Sequence, residues 1–301
     1  MLNRPECITC VLDDLVAAAR SSGMCENEIF SLVREAMAGL ATTFGPGDLP
    51  SYAITDVHRL LKRKLGESVL FRERRRLANM VCREVEAGLA QEVRDMDPDS
   101  RLAALARWAV AGNSMDFRTV GTGYEFGPED VRRFLEEYVS RPLLIDDTPD
   151  LIASARPGAK VVYIMDNVGE IAFDTLLVSE LRARGCTVTA VVKSGAITSD
   201  AVMEDAVLVG LDSAANEVIT SGGETLGTSN REMSAEFRSR LREADIVISK
   251  GQANFYAMTD PIDGIAADIF CLFTMKCGYA AAHLGLKCKG PVAVRLARHS
   301  A

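Results

Sequence analysis

The feature that most constrains the fold is a change of pattern near residue 158. Before it, apolar residues recur at three- and four-residue spacing, as they do along the buried face of a helix. After it, short apolar runs rich in β-branched residues alternate with helical segments. Such alternation is typical of a parallel sheet with helices on its faces. The pattern therefore predicts an α/β fold preceded by helices.

The two patterns divide the chain into two predicted domains. Residues 1–145 are expected to form a helical domain, whose last helix is PEDVRRFLEEYV, begun by Pro128. Residues 146–301 are expected to form the α/β domain, with 146–159 as the link into it. Its predicted strands are KVVYIMD, CTVTAVVK, ADIVISKG and GPVAVRL, and its first helix, NVGEIAFDTLLVSELRARG, is predicted to be amphipathic and to end at Gly185.

Composition narrows the function classes. The net charge of −8 disfavours general nucleic-acid binding, and no apolar run has the length of a membrane span. The N-terminus lacks an apolar signal core, so we expect a cytoplasmic protein with mostly reduced cysteines. The three histidines, at 58, 283 and 299, are far apart, which favours a site built from carboxylates over a His-rich site or a catalytic triad.

Polar residues follow the first predicted strand directly. VVYIM is followed by Asp166 and Asn167, and Glu170 comes three residues later. One interpretation is helix capping, with Asn167 as the N-cap and Glu170 as the third-residue acid of a capping box. Capping leaves Asp166 unexplained. The other interpretation is a ligand site, because ligands of open parallel sheets bind at the carboxyl ends of strands.

A third oxygen ligand follows the next strand. Asp200 lies in a loop of small residues, where Ser199 or Asp200 could alternatively cap a helix at AVMEDA. Asp166, Asn167 and Asp200 can converge at neighbouring strand ends. Carboxylate and amide oxygens suit hard cations such as Mg²⁺ or Mn²⁺, and three protein ligands leave positions for water and substrate. We therefore predict a catalytic divalent-metal site.

The third strand suggests a phosphate ligand. It ends in Lys250 and Gly251, which could supply a point charge and a close backbone approach, although an ordinary turn with a surface lysine explains them equally well. The loop 218–230 contains Gly222, Gly223 and Gly227, whose amides can face an anion. Together with a metal, these features predict a phosphate ester as the ligand.

Several motifs together resemble the damage-control phosphatase family, also known as domain-of-unknown-function family eighty-nine. They are DNVGEIAFD, SDAVMEDA, SKGQANF and TMKC, with AGNSMDF at 111–117 and the N-terminal CITC of the prokaryotic branch. The sequence departs from the family pattern at GESVLFRERRRLAN, after the Phe of SKGQANF, and at GGETLG. These departures bear on the substrate more than on the metal.

The resemblance implies a Rossmann-like, mostly parallel sheet domain behind an all-helical N-terminal domain. It implies a divalent metal, Mn²⁺, Co²⁺, Ni²⁺ or Mg²⁺, held by Asp166, Asn167 and Asp200, and a small phosphorylated, sugar phosphate-like metabolite as substrate. We assign catalytic roles to Asp166, Glu170 and Lys250. The expected substrate contacts are Glu170, Lys250, Gly251, Asn254, Asn113 and Asp116. A metal-activated water is the favoured nucleophile, and Asp166 itself is the alternative.

Other features leave alternatives open. Cys7 and Cys10 form a CxxC that could be a redox pair, part of a soft-metal site with Cys277 or Cys288, or two small apolar residues. The run FRERRR is best explained as a solvated helix face, although Arg74 or Arg75 could reach the site. The competing functions are an S-adenosylmethionine-dependent carboxyl methyltransferase and a non-catalytic phosphometabolite-binding protein. The oligomeric state stays open.

Overall fold

The computed structural model of the chain describes residues 2–67, 69–116, 128–260, 262 and 264–296. The helices of the first half are α1 (Cys7–Ser21), α2 (Glu26–Thr43), α3 (Pro50–Leu65), α4 (Arg72–Glu92), α5 (Pro98–Gly112) and α6 (Pro128–Ser140). The second half has helices α7 (Thr148–Ser154), α8 (Glu170–Ala183), α9 (Met203–Val209), α10 (Leu211–Ala214), α11 (Ala235–Glu243), α12 (Gln252–Met258) and α13 (Gly278–His283). A 3₁₀ turn, Asn113–Met115, follows α5.

The strands form one six-stranded sheet in the order β3-β2-β1-β4-β5-β6. Their bounds are β1 (Lys160–Ile164), β2 (Thr187–Val192), β3 (Glu217–Thr220), β4 (Ile246–Lys250), β5 (Asp268–Thr274) and β6 (Pro291–Arg295). The first five are parallel, and β6 is antiparallel to β5. The predicted α/β architecture with a Rossmann-like, mostly parallel sheet is thus confirmed. The strand order reverses between β1 and β4, the position where such sheets bind ligands.

Two strands escaped the sequence analysis. The short β3 begins at Glu217 and takes up the first three residues of the predicted Gly-rich loop 218–230, so only residues 221–230 of that segment are a loop. The β5 strand, DIFCLFT, lies between a turn-rich segment and the TMKC motif. The apolar run of β3 is too short to separate a strand from a loop by periodicity alone. The run IFCLF of β5 is as long as the VVYIM run that predicted β1, so the signal for β5 was available.

Helix α8 is buried on nearly all sides, which differs from the amphipathic helix expected. Its buried residues include Ile171, Phe173, Leu177 and Leu181. One side packs on β2, and α4, α5 and α10 cover the others. The helix closes as predicted at Gly185, whose φ of 87° is the left-handed conformation that favours glycine.

The first three helices form a separate apolar cluster that contains Leu15, Leu32 and Leu61. By contrast, α4, α5 and α6 share one core with α8 and one face of the sheet. The stretch predicted as a link is itself ordered: it contains α7, and Asp147 N donates to Ala293 O of β6 at 2.8 Å. The division at residue 145 stays a prediction. None of the described helices is long and apolar enough to cross a membrane.

Candidate active site

A cavity of about 670 Å³ lies at the carboxyl edge of the sheet, between the strand ends and the first turns of α1 and α3. We call its polar part the inner end: Asn113, Asp116, Asp166, Asn167 and Lys276. We call the part contributed by α1 and α3 the outer wall: Cys7, Thr9, Cys10, Val11, Pro50, Ser51 and Ile54. Other lining residues include Leu226, Gln252 and Tyr256.

Asp166 and Asn167 lie at the inner end, directly after β1. Two amides converge on Asp166 Oδ2: Asn113 Nδ2 donates at 2.8 Å and Asn167 Nδ2 at 2.7 Å. The same two amides donate to Glu170 Oε2, at 2.9 and 3.0 Å. Burial raises the pKa of Asp166 well above its usual range, and the carboxylates of Glu170 and Asp200 raise it further. A bound cation would stabilise the ionised form.

The structure contradicts the capping interpretation of these residues. The N-cap of α8 is Gly169, with φ of 81° and no side-chain cap bond, so Asn167 does not cap the helix. At the second strand end, α9 begins at Met203 with Val202 as its N-cap, so neither Ser199 nor Asp200 caps it. The acid that contacts the start of α9 is Asp205, which accepts from Val202 N at 2.9 Å.

The loop that carries Asp200 is joined to the β1 end. Ala201 N donates to Asp166 O at 2.7 Å, and Asn167 and Asp200 form an isolated antiparallel bridge. The Asp200 side chain is fully buried and accepts from the amide of Gly227 at 2.9 Å. Of the three glycines in the Gly-rich loop, Gly227 therefore contacts the site, whereas the amide of Gly222 donates to Ser194 Oγ.

Lys250 is fully buried behind the inner end, so the surface-lysine interpretation is wrong. Its ammonium lies 2.9 Å from Glu170 Oε1 and 2.9 Å from Asp174 Oδ1. Although burial opposes it, these carboxylates raise the pKa of Lys250. Burial raises the pKa of Asp174 to about 6, with Lys250 opposing the rise. Lys250 does not line the cavity, and its role as a direct phosphate ligand stays a prediction.

Gly251 lies directly against Asp166. A Cβ added to Gly251 would fall 1.9 Å from Asp166 Oδ2, and the φ of 80° is itself unfavourable for other residues. The backbone at Gly251 was expected to come close to a ligand. It comes close to the carboxylate of Asp166 instead. The neighbouring Asn254 is buried and donates to Met165 O and Lys250 O, while its Oδ1 accepts from Thr228 at 2.9 Å.

Asn113 and Asp116 reach the site from the end of α5. Asn113 bridges Asp166 and Glu170, as described, and its Oδ1 accepts from Thr274 N at the end of β5. Asp116 accepts from Lys276 Nζ at 3.3 Å, and its Oδ1 lies 3.0 Å from Ser199 Oγ. The 3₁₀ turn after α5 thus aims both side chains at the strand ends, while Phe117 of the AGNSMDF motif lies outside the described residues.

The site contains more acids than cations. Its carboxylates are Asp116, Asp166, Glu170, Asp174 and Asp200, and its ammonium groups are Lys193, Lys250 and Lys276. Five negative and three positive charges leave an excess of two negative charges when all are ionised. Because buried charges are stable only when they are paired or bind metal, this excess favours a divalent cation.

The donor types in and beside the inner end fit a hard cation. Asp166 offers carboxylate oxygens and Asn167 an amide oxygen from the inner end, and the fully buried Asp200 offers a carboxylate from behind it without lining the cavity. These are the ligands that Mg²⁺ and Mn²⁺ accept. Within the described residues, no three His, Cys, Asp or Glu side chains are grouped as a metal site would need. The predicted set has only two such residues, because its third ligand is an amide.

Three residues near the site were missed by the sequence analysis. Lys193 is buried, 3.7 Å from Asp200 Oδ2, and burial lowers its pKa. Lys276 belongs to the quoted TMKC motif but was given no role, and it lines the cavity. Asp174 lies one helical turn after Glu170 and also accepts from Tyr163 Oη at 2.6 Å. Asp174 could have been identified from the sequence, because it is an acid one helical turn after Glu170 in a mostly apolar helix.

The FRERRR run is only partly a solvated face. Arg75 is 3% exposed, and its guanidinium donates to Asp200 O at 2.8 Å and to Asp205 Oδ2 at 2.5 Å. It therefore supports the loop that carries Asp200, whereas Arg74 is exposed. Arg75 precedes the buried Ala78 and Cys82 by three and seven residues, so the helical period could have placed it on the buried stripe.

Cys7 and Cys10 lie on the outer wall, and Cys277 lines the same cavity. Burial raises the pKa of Cys7, and the neighbouring thiols of Cys277 and Cys10 add to the rise. All three are free thiols. The structure thus brings Cys277, rather than Cys288, to the cavity that the CxxC lines. A redox or soft-metal role for Cys7 and Cys10 stays a prediction.

Together the fold and this arrangement define a doubly wound α/β protein whose candidate site is a buried network of carboxylates, amides and lysines at the sheet's switch point. The chain belongs to the damage-control phosphatase ARMT1-like domain family, whose model matches residues 4–290. The family resemblance drawn from the motifs is thereby confirmed.

The sequences and the structure of individual relatives match this chain over most of their length. The chain is 33% identical over 282 residues to a damage-control phosphatase of Archaeoglobus fulgidus, covering 94% of this chain and 95% of that protein. It is 30% identical over 246 residues to a damage-control phosphatase of Pyrococcus horikoshii, covering 81% of each. The crystal structure of a domain-of-unknown-function family eighty-nine protein from the same organism superposes with a TM-score of 0.86 at 27% identity, covering 98% and 99% of the two chains.

Proposed function

We propose that this protein is a metal-dependent phosphatase that hydrolyses a small phosphorylated metabolite of the sugar phosphate-like class that the family resemblance implies. Family membership supports the phosphatase role. The observation that carries the metal dependence is the buried inner end, where Asp166 and Asn167 face a cavity from a network in which carboxylates outnumber ammonium groups. Such a site attracts a divalent cation, and the cavity leaves room for a small ligand beside it.

Asp166, Asn167 and Asp200 would hold the ion, which we propose to be Mn²⁺, Co²⁺, Ni²⁺ or Mg²⁺. When bound there, the ion would polarise the phosphoryl oxygens and activate the attacking water. Asp166 is thus proposed as a metal ligand rather than as the nucleophile. Glu170 supports this arrangement because the amides of Asn113 and Asn167 tie its carboxylate to that of Asp166.

Other residues of the chain would bind the phosphoryl group. Lys276 is the lysine of the inner end, and its ammonium can balance the charge that develops on phosphoryl oxygens. Asp116 holds that ammonium at 3.3 Å, and both Asp116 and Asn113 line the cavity where the substrate would bind. The amide N–H groups of Asn113 are donated to Asp166 and Glu170, so we propose that it positions these carboxylates beside the substrate.

Lys250 adds positive charge from behind Glu170, where it is fully buried. Gly251 and Asn254 do not line the cavity: the Gly251 amide donates to Leu272 O at 3.4 Å, and the buried Asn254 side chain is bonded within the protein. Their roles as substrate contacts therefore stay predictions from the sequence.

The test is phosphate release from a panel of sugar phosphates and an aryl phosphate by the metal-stripped chain with each ion added back. In Asp166→Asn, a near-isosteric change, we expect metal-dependent release to fall by about 100-fold or more because a ligand charge is lost. Metal affinity, measured by calorimetry, should fall with it. Thermal unfolding would verify that the variant folds. Asp212→Asn removes an exposed carboxylate on α10 and serves as the matched control.

Each alternative function has its own outcome. Unchanged metal-dependent release in Asp166→Asn would contradict the proposed site. Release with no added metal, equal to that with metal, would contradict metal dependence. Binding of metal and phosphometabolite without release would favour a binding protein. Heat of binding with S-adenosylmethionine, in the absence of any phosphate release, would favour the methyltransferase.

A further inference from the structure

The outer wall contains a buried hydroxyl without a partner. Ser51 lines the cavity and is 1% exposed, yet its Oγ makes no hydrogen bond within the described protein. A buried hydroxyl that stays unsatisfied loses its bonds to water without replacement, so such groups normally serve a ligand or ordered water. The other hydroxyl of the outer wall, that of Thr9, is already satisfied because it donates to Glu6 O at 2.7 Å.

Ser51 is held rigidly at its position. It is the second residue of α3, after Pro50, and Thr55 one turn later donates to Ser51 O at 2.8 Å. The same Thr55 Oγ1 accepts from Leu226 N at 3.0 Å, which joins the first turn of α3 to the Gly-rich loop. The backbone of Ser51 is therefore held in place by the fold, as it should be for a residue that binds a ligand.

The surroundings of Ser51 are mostly apolar but electrostatically positive. Val11, Ile54 and Leu226 line the same cavity and offer no hydrogen-bonding side chain. The sixteen-residue helix α3 begins there, and the amide of its second residue has no carbonyl partner within the helix. A helix N-terminus carries a partial positive charge, so Ser51 combines a hydroxyl and an amide at a point that favours a negative acceptor.

We propose that Ser51 forms a second polar subsite, which binds an acidic oxygen at the far end of the substrate. The proposal rests on the proposed phosphatase function and narrows its substrate class. The substrate would be a phosphate monoester whose phosphoryl group lies at the inner end. Its alcohol portion, a short sugar-like chain, would pass the apolar side chains with its C–H groups toward them and would carry a carboxylate that accepts hydrogen bonds from Ser51; the alkyl compounds below are simplified probes of that far end.

The substrate series that tests this proposal varies only the far end. One set consists of ω-carboxyalkyl phosphates with two to six methylene groups, and the other of alkyl phosphates of matching length. In the full chain supplied with its best metal, we expect kcat/KM to favour the carboxylate by about tenfold or more at one optimal length, because one charge-assisted hydrogen bond distinguishes the two. Non-hydrolysable phosphonates of both sets should show the same preference in Kd.

Ser51→Ala should remove this preference selectively. We expect the carboxyalkyl compounds to lose about tenfold in kcat/KM and in Kd, while the alkyl compounds change by less than about twofold, since their contacts do not involve the hydroxyl. Thr9→Ala removes a hydroxyl of the same wall that is already bonded, and it should leave the preference unchanged. The comparison of the two substrate sets on the wild-type protein tests the proposal by itself, even if the Ser51→Ala variant proves unstable.

The outcomes separate this proposal from the phosphatase proposal. Hydrolysis of both sets at equal rates at every length would overturn the subsite and leave the phosphatase function standing. A Ser51→Ala variant that keeps the wild-type preference would overturn it as well. Tighter binding of carboxyalkyl phosphonates without any hydrolysis of the phosphates would support the subsite and contradict the phosphatase function.

Discussion

The two parts of the cavity are built in opposite ways. The inner end is polar and charged, and nearly every hydrogen-bonding atom there has a partner: Asn113 alone bridges Asp166, Glu170 and Thr274. The outer wall is mostly apolar, comes from helices of the first half of the chain, and holds the unsatisfied hydroxyl of Ser51. The side chains of the inner end are held in place by bonds to one another, as suits a site for charged groups. The outer wall has a hydroxyl that would be satisfied by a ligand.

This difference implies that the inner end serves stability and chemistry, whereas the outer wall serves the choice of ligand. Buried charges at the inner end need one another, so changes there should disturb stability and chemistry together. Groups on the outer wall make few bonds to other buried groups. Changes there should therefore affect which ligand binds more than they affect the stability of the fold. The predictions that follow test this contrast, beginning with the largest expected effect.

Replacing Lys250 by methionine should cause the largest loss of stability. The change preserves volume but leaves the carboxylates of Glu170 and Asp174 buried without their cation, which typically costs about 3–5 kcal/mol. The free energy of unfolding of the metal-free protein, measured by urea denaturation at neutral pH, would show it. The loss should shrink as the pH is lowered, because protonated carboxyl groups no longer need the ammonium.

The matched control is Lys62→Met on α3. Lys62 pairs with Glu224, whose side chain is 36% exposed and can be solvated when its partner is removed. That variant should lose about 1 kcal/mol, most of it from the bond that Lys62 donates to Ala196 O at 2.9 Å. Equal losses for the two lysine variants would contradict the view that the fully buried carboxylates behind the inner end depend on their cation more than a part-exposed ion pair does.

Replacing Gly251 by alanine should have the next largest effect, mainly on activity. The added Cβ would occupy the position of the Asp166 carboxylate, so that carboxylate must move. Displacing a catalytic group by about 1 Å can cost about 100-fold in rate, and we expect a loss of that order in metal-dependent phosphate release. The measurement is kcat/KM on the best substrate at saturating metal.

Gly210→Ala is the control for a positive φ without a contact. Its φ is 79° against 80° at Gly251, and a Cβ there meets nothing within 4 Å, although its ψ of 19° is left-handed whereas the ψ of 157° at Gly251 is essentially restricted to glycine. It should cost about 1–2 kcal/mol of stability for the left-handed conformation and leave kcat/KM unchanged. If Gly210→Ala lowered activity as much as Gly251→Ala, strain rather than contact with Asp166 would be the cause.

Thr55→Val should give the smallest effect. The change is nearly isosteric and removes the hydroxyl that joins Ser51 O to Leu226 N, leaving that amide without its partner. We expect about 1–2 kcal/mol of stability to be lost, with metal affinity unchanged, because the inner end is untouched. Calorimetric metal titration would check this, and weaker metal binding would show that the two parts of the cavity are coupled.

Local sequence patterns were sufficient for much of the fold. Branched apolar runs that stop at Asp166 and at Lys250 marked two of the strands, and the glycine at 185 marked the end of α8. The four-residue β3 was too short to recognise, whereas β5 was missed although its apolar run, IFCLF, matches that of β1 in length. The capping interpretation of Asn167 failed because the φ of 81° at Gly169 begins the helix two residues later than the spacing suggested.

The sequence by itself determined which polar residues end each strand, because periodicity and turn residues are properties of neighbours along the chain. Only the tertiary structure decided which of them meet. Parallel strands bring Asp166 and Asp200 to one edge through crossovers, and Lys193, Lys276 and Arg75 reach that edge from separate segments. The docking of α1 and α3 over the edge makes a cavity and leaves Ser51 facing it, since burial depends on what packs above a residue and not on its neighbours in sequence.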